Sequence, residues 1–369
     1  MARILTLQDV DFAIKGGSIY ACGGGGWVEH GRELGTAAVT IGRPELVTMD
    51  EVSDDAWIAT AAAIGAPGES TQWQMLGMDY VKAARLLQEA LGEPLYGLII
   101  GQNGMSSTLN AWLPGAVLGT KVVDAVGDLR AHPTGDMGSI GLAGSTAPMI
   151  QTAVGGHRDS HSYMELVVRG ATGKVSPVLR KAADMSGGFI ASCRNPVRAA
   201  YVRQHAAQGG ISMALALGQC VAAHEGRGAS ALIDAICKHT QGHLLASAVV
   251  SRRDVHYTQQ AFDVGTITLG QGAQARVLHV MNEYMAVDDA DGNRLATYPD
   301  VITTLDEHGQ PVSAGRVREG MTVHVLHVHR KFLPLSSSVT DPSVYPVVEQ
   351  ALGIAIAGYA LGAATDSQP

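Results

Sequence analysis

Over residues 1–155, strand-length apolar runs alternate with segments of helical period, and this alternation constrains the fold more than any other feature. Strand-like runs fall at 18–21, 37–41, 57–62, 95–100 and 121–124. Helical segments fall at 5–14 and at 79–91, where Val81, Ala84, Leu87 and Leu91 recur on one face until Gly92 stops them. A third helical segment, 107–118, is interrupted at Pro114. Alternation of this kind predicts an α/β layered domain over residues 1–155 with a mainly parallel sheet.

The pattern then changes. Residues 165–168 and 173–178 read as a strand and a turn, followed by helices over 196–208, 212–223 and 229–239. From Leu244 onward strands dominate, at 244–250, 264–269, 275–281, 284–287, 301–305 and 322–329, with hairpin turns at Asp291-Gly292-Asn293 and Glu307-His308-Gly309. A β-rich α+β domain with a helical layer is expected over 156–335. In 336–369 a helix apolar on nearly every side, 343–361, is expected to pack back on the first domain or between subunits.

At 369 residues the chain exceeds what one core usually serves. A charge of −8 and the lack of a long basic run argue against nucleic-acid binding. The apolar stretch 351–364 falls short of a membrane span, which needs ~20 residues. The first 17 residues have no signal-type apolar core. The four cysteines, Cys22, Cys193, Cys220 and Cys237, form no Cys-x-x-Cys pair. A cytoplasmic protein with a small-molecule substrate is expected, without nucleic acid or membrane. A homo-oligomer is compatible with the sequence.

Several clusters carry candidate chemistry. Gly23, Gly24, Gly25 and Gly26 lie between a strand-like run and a helix-like one, and read equally as a structural turn or a ligand loop. A dinucleotide fingerprint does not fit, since its spacing would need glycine at Val28. Asn103 follows a buried strand and reads as a polar contact or an Asx-turn. Asp124, Asp128, Arg130, His132 and Asp136 place five ionisable groups within thirteen residues after a strand. Such a group can anchor a carboxylate and move a proton. Asn282, Glu283 and Asp300 form the second polar cluster.

The pairs His157/His161 and His239/His243 have zinc-compatible spacing but lack the glutamate of a metalloprotease helix, so surface histidines are the stronger reading. His327 and His329 alternate onto one strand face as a metal or proton-transfer candidate. Cys22 reads more readily as a small buried hydrophobe than as a nucleophile.

Cys22 to Gly26, Gly65-Ala66-Pro67, Gly101 to Asn103, Asp124 to Pro133, Asn282-Glu283 and Pro299-Asp300-Val301-Ile302 together resemble the S-methyl thiohydantoin desulfurase family, whose members accompany hydantoinase and oxoprolinase genes. The chain departs from the family pattern at Ile100, Val126, Leu129 and Thr134, and His132 stands where an aromatic residue is more usual, which marks a divergent subgroup. The resemblance implies two domains and a small cyclic imide or thiohydantoin-like substrate from which sulfur or a related ring substituent is removed by hydrolysis.

The expected enzyme is therefore a hydrolase with its site in an interdomain cleft. Gly23 to Gly26, Asn103 and Asn282 would hold the ring and Arg130 a substrate carboxylate. Asp124 or His132 would activate water, and Glu283 or Asp300 would close the site. The metal is unknown, zinc being compatible. The alternatives are a non-catalytic subunit of a hydantoinase- or oxoprolinase-type partner, and a metabolite-binding protein.

Overall fold

The computed structural model describes residues 2–66, 73–258 and 260–362; Pro67 of the resemblance lies outside them. The first sheet contains β1 (Arg3–Ile4), β2 (Glu45–Val47), β3 (Trp57–Gly65), β4 (Gly97–Gln102), β5 (Lys121–Asp128), β6 (Pro148–Gly155), β7 (Met164–Ala171), β8 (Phe189–Arg198) and β9 (Ala207–Gln208). Their order is β1-β2-β5-β4-β3-β8-β6-β7, with β9 on β5. Only β2-β5-β4-β3 are parallel, so the sheet is mixed rather than mainly parallel. It also runs past residue 155, where the sequence reading ended its first domain, because β7, β8 and β9 pair into it.

The second sheet contains β10 (His243–Tyr257), β11 (Asp263–Leu269), β12 (Arg276–Met281), β13 (Glu283–Asp289), β14 (Arg294–Thr297), β15 (Val301–Asp306) and β16 (Thr322–Val328). It is antiparallel in the order β14-β13-β12-β11-β10-β16-β15. Tyr284 on β13 hydrogen-bonds Thr304 on β15 through their hydroxyls at 3.0 Å, although four strands separate them in the order. That bond requires a curled sheet.

The helix Leu7–Tyr20 aims the glycine loop at the second domain. It crosses the helix Gly210–His224 at backbone contact: a Cβ on Gly16 would meet the Ala214 carbonyl at 1.8 Å, and one on Gly218 would meet the Phe12 carbonyl at 1.8 Å. Only glycine allows this approach.

Four local expectations fail. Residues 18–21 and 37–41, read as strands, belong to or abut the helices Leu7–Tyr20 and Val28–Ile41. Short apolar runs fit either period, and His30, Gly31, Leu34 and Ala38 recur on the buried helical face. Residues 173–178 lie in the helix Thr172–Met185. The region 196–208 begins as strand, since β8 continues to Arg198 before the helix Ala199–His205. There Asn195 (φ 53°) and Pro196 sit where the register against β3 slips by one residue, and such a bulge tolerates proline in a strand.

The tail is broken by Gly353 (φ 69°) into the helices Pro346–Leu352 and Ala357–Leu361. Tyr345, Val348 and Ile356 pack chiefly on Phe262, Met281, Met285 and Tyr298 of the second domain, with Met137 from the first.

Candidate functional site

A cleft of about 730 Å³ opens between the domains. The first domain contributes the glycine loop, Gly101, Gln102 and His132; the second contributes Arg253, Asn282 and Glu283. Gly23, Gly25 and Gly26 all adopt left-handed φ, at 86°, 73° and 87°. This folds the loop against its neighbours. The Gly25 carbonyl accepts from the Ser106 and Ser107 amides, and the Gly23 carbonyl accepts from Ala314 across the domain boundary.

The loop seats Glu283. The Gly25 amide donates to its carboxyl group, while Oε2 has no partner among the described residues and the side chain is buried. Burial pushes the pKa up to about 8, against the opposing charges of Arg130 and Arg180. Near neutral pH this carboxyl group holds a proton.

His132 is displaced the other way. Burial lowers its pKa to about 3, with Arg194 and Arg130 adding to the effect and the Gly101 carbonyl opposing it. Nε2 lies 3.3 Å from that carbonyl, which can only accept, so the ring proton sits on Nε2. Nδ1 has no partner. The backbone amide of His132 donates to Gln102 Oε1 at 3.0 Å, fixing the loop.

Around this pair the cleft is cationic in an otherwise acidic chain. Arg180, Arg194, Arg253, Arg316 and Arg318 line it, against Asp263 and the largely uncharged Glu283. Arg180 donates to the carbonyls of Pro133 (2.6 Å) and Ala261 (3.1 Å), and its guanidinium lies 4.1 Å over the Phe262 ring. The opposite character is supplied by Trp27 and Trp73, stacked at 5.0 Å, with Phe189 edge-on to both. Guanidinium donors beside an aromatic slab suit a small planar ring bearing an anionic group.

The N-terminal domain of S-Me-THD-like proteins matches residues 8–162, and the C-terminal domain matches residues 171–332. The chain belongs to the S-Me-THD-like family. This is the family of the S-methyl thiohydantoin desulfurases. A crystal structure of a protein from Chromobacterium violaceum shares the fold, with a TM-score of 0.72, 24% identity and 96% of each chain covered. No curated protein matches.

The residues that carry the S-Me-THD-like resemblance divide into cleft and scaffold. Gly23 to Gly26, Gly101, Gln102, His132, Asn282 and Glu283 line the cleft. Asn282, at φ 57°, has its Oδ1 engaged by the Asp263 amide at 2.9 Å. The structure does not bring Asp124, Asn103, Arg130 or Asp300 to the cleft lining. Asp124 Oδ1 accepts from the amides of Ile211 and Ser212 at 3.0 Å each, capping the helix Gly210–His224. Asn103 donates to the carbonyls of Leu129 and Gly210, joining β5 to that helix.

Arg130 is a rivet between domains. It donates to the carbonyls of Ala131 (2.9 Å), Asp300 (2.7 Å) and Tyr284 (2.8 Å) at 0% exposure. Asp300 accepts from the Arg330 amide and from Tyr359, and pairs with His327 Nε2 at 2.7 Å, tying the tail to β16. Its neighbour in the other polar stretch, Asp128, accepts from the Tyr298 hydroxyl at 2.7 Å. Cys22 is buried and its thiol is pushed up to about 11, as expected for a packing residue.

Sequence reading missed Arg180, Arg194 and the aromatic wall. Arg194 carried a usable signal, since it precedes Asn-Pro, a bulge former able to re-aim the strand. Arg180 and Trp73 carried none.

His157 and His161 lie in a turn rather than on one helix face, and Gln241 in a left-handed conformation separates His239 from β10. Among the described residues no three His, Cys, Asp or Glu side chains converge where a metal ion could sit. That donor set does not fit zinc. Nor, among the described residues, is any helix long and apolar enough to cross a membrane.

Proposed function

We propose that the cleft hydrolyses a small hydantoin- or thiohydantoin-like ring, removing sulfur or a related substituent. One observation carries this reading: a carboxyl group displaced upward to about 8 and an imidazole displaced downward to about 3 line the same cleft. Two groups pushed apart in this way are suited to acid and base roles near neutral pH.

Water adds to the sulfur-bearing ring carbon, and His132 Nδ1 accepts its proton. Glu283 donates its proton to sulfur as the carbon–sulfur bond breaks. The ring keeps a carbonyl, and sulfur leaves as a thiol, or as hydrogen sulfide from a thiocarbonyl. Proton return from His132 to Glu283 through solvent resets the site. Trp27, Trp73 and Phe189 stack the ring, while Arg194 and Arg180 take the anion-holding role expected of Arg130. Four cysteines without a disulfide support a reducing, cytoplasmic setting.

The test is turnover of hydantoin, thiohydantoin and S-methyl thiohydantoin compounds by the purified chain alone. Sulfur release supports the reading. Release only when a hydantoinase-type partner is added would replace it with a subunit role.

A further inference from the structure

Arg194 sits 2% exposed on β8 at the bulge formed by Asn195 and Pro196. One of its amino groups donates to the Gly135 carbonyl at 3.2 Å, and Nε has no partner among the described residues. Asp136 is the carboxyl group whose charge acts on it, and burial holds Asp136 above the usual carboxylate range. A guanidinium taken out of water with open donors is costly unless an anion completes it. Because Arg194 lines the cleft, a ligand can supply that anion.

We propose that Arg194 is an anion-operated control on His132: an anionic group seated on the guanidinium is what allows the neighbouring imidazole to accept a proton. The charges that act on His132 are Arg130 on its own stretch and Arg194 on β8. Arg180, on the helix Thr172–Met185, and Glu283, on β13, line the same cleft, and the Asp136 carboxyl group acts on Arg194. Arg130 is already spent on three carbonyls and stays out of a ligand's reach, and Glu283 is largely uncharged. Arg194 is therefore the facing charge that a ligand can neutralise.

Without that anion, burial, with the Arg194 field added to it, makes the imidazole too weak a base to take a proton from water efficiently. An anion on Arg194 offsets that field, the smaller cause after burial, and would raise imidazole basicity about tenfold. Substrates lacking the anion would then lose kcat beyond any rise in KM. The catalytic consequence rests on the proposed function. The anion site and its effect on His132 do not.

The full chain is therefore titrated by NMR in sodium sulfate and, at equal ionic strength, in sodium chloride. The His132 signal is assigned by its loss in His132→Gln. Sulfate is expected to raise the imidazole midpoint by at least one pH unit, a tenfold gain in proton affinity. Arg194→Gln should start with the higher midpoint in chloride and ignore sulfate, while Arg194→Lys should keep the sulfate response. A midpoint that is the same in both salts overturns the proposal. So does a wild-type response in Arg194→Gln, and if that variant does not fold, loss of the response in Arg194→Lys does so instead. A sulfate response in a protein that turns over no ring compound would leave the control standing and remove the proposed function alone.

Discussion

The Glu283 carboxyl group lies against the α-carbon of Gly24, so closely that a Cβ added there would stand 2.0 Å from Oε1. The glycine run is thus the floor on which an acid from the other domain rests. The same floor excludes water from that acid, and burial raises its proton affinity.

Gly24→Ala should therefore fold and fail to work. The added methyl group must displace the carboxyl group, and a misplacement of about 1 Å costs on the order of a hundredfold in rate. Circular dichroism and thermal melting check the fold, and sulfur release checks the rate. Unchanged activity would detach the loop from the acid.

Glu283→Gln should change how stability depends on pH. The folded chain holds the Glu283 proton up to about pH 8, while the unfolded chain releases it in the ordinary carboxylate range near ~4.3. The unfolded state therefore binds fewer protons between those values, and stability falls as pH rises through them. The variant lacks this slope. It should match wild type near pH 5 and exceed it at pH 9 by on the order of a few kcal/mol. Asp128, raised to about 7, adds a slope of the same sign that persists in both proteins. Urea melts at the two pH values decide the point.

How much of this was legible in the sequence depended on whether partners were local. The runs at 95–100 and 121–124 declared β4 and β5, and the alternation after Leu244 declared the second sheet. The glycine run, His132 and Glu283 stood out as glycine or polar interruptions at the ends of apolar runs. Asp124, Arg130 and Asp300 made the same kind of interruption and serve the scaffold instead. Polar strand ends face clefts in some places and second domains in others, and local pattern does not separate the two. Arg194 was hidden by a bulge that made β8 read as the start of a helix. Arg180 was hidden on a helix whose first turns, 173–178, read as a turn.

Arg130→Lys should cost stability and little else. Lysine keeps the charge but cannot bridge three carbonyls in Arg130's fixed fork, so at least one buried acceptor loses its donor. A loss of about 2–4 kcal/mol in urea denaturation, with KM within about twofold of wild type, is the expected outcome. A large rise in KM would return Arg130 to substrate binding.

His132→Phe and His132→Gln separate chemistry from packing. The ring lies on Gly138, where an added Cβ would meet Nε2 at 2.5 Å, so an aromatic replacement can occupy the same shelf. Both variants should lose roughly a hundredfold or more in kcat, as for a general base, with the Phe variant close to wild type in melting temperature. Turnover at the wild-type rate in His132→Phe would remove the imidazole from the mechanism.

The most direct test of the acid–base assignment is the pH profile of kcat/KM for sulfur release in wild type and in Glu283→Gln. The wild-type rate should fall tenfold per pH unit above about pH 8, where Glu283 gives up its proton. The variant should be about a hundredfold slower at neutral pH and show no such limb. A descending limb that survives unchanged in Glu283→Gln, at wild-type rates, would contradict the account.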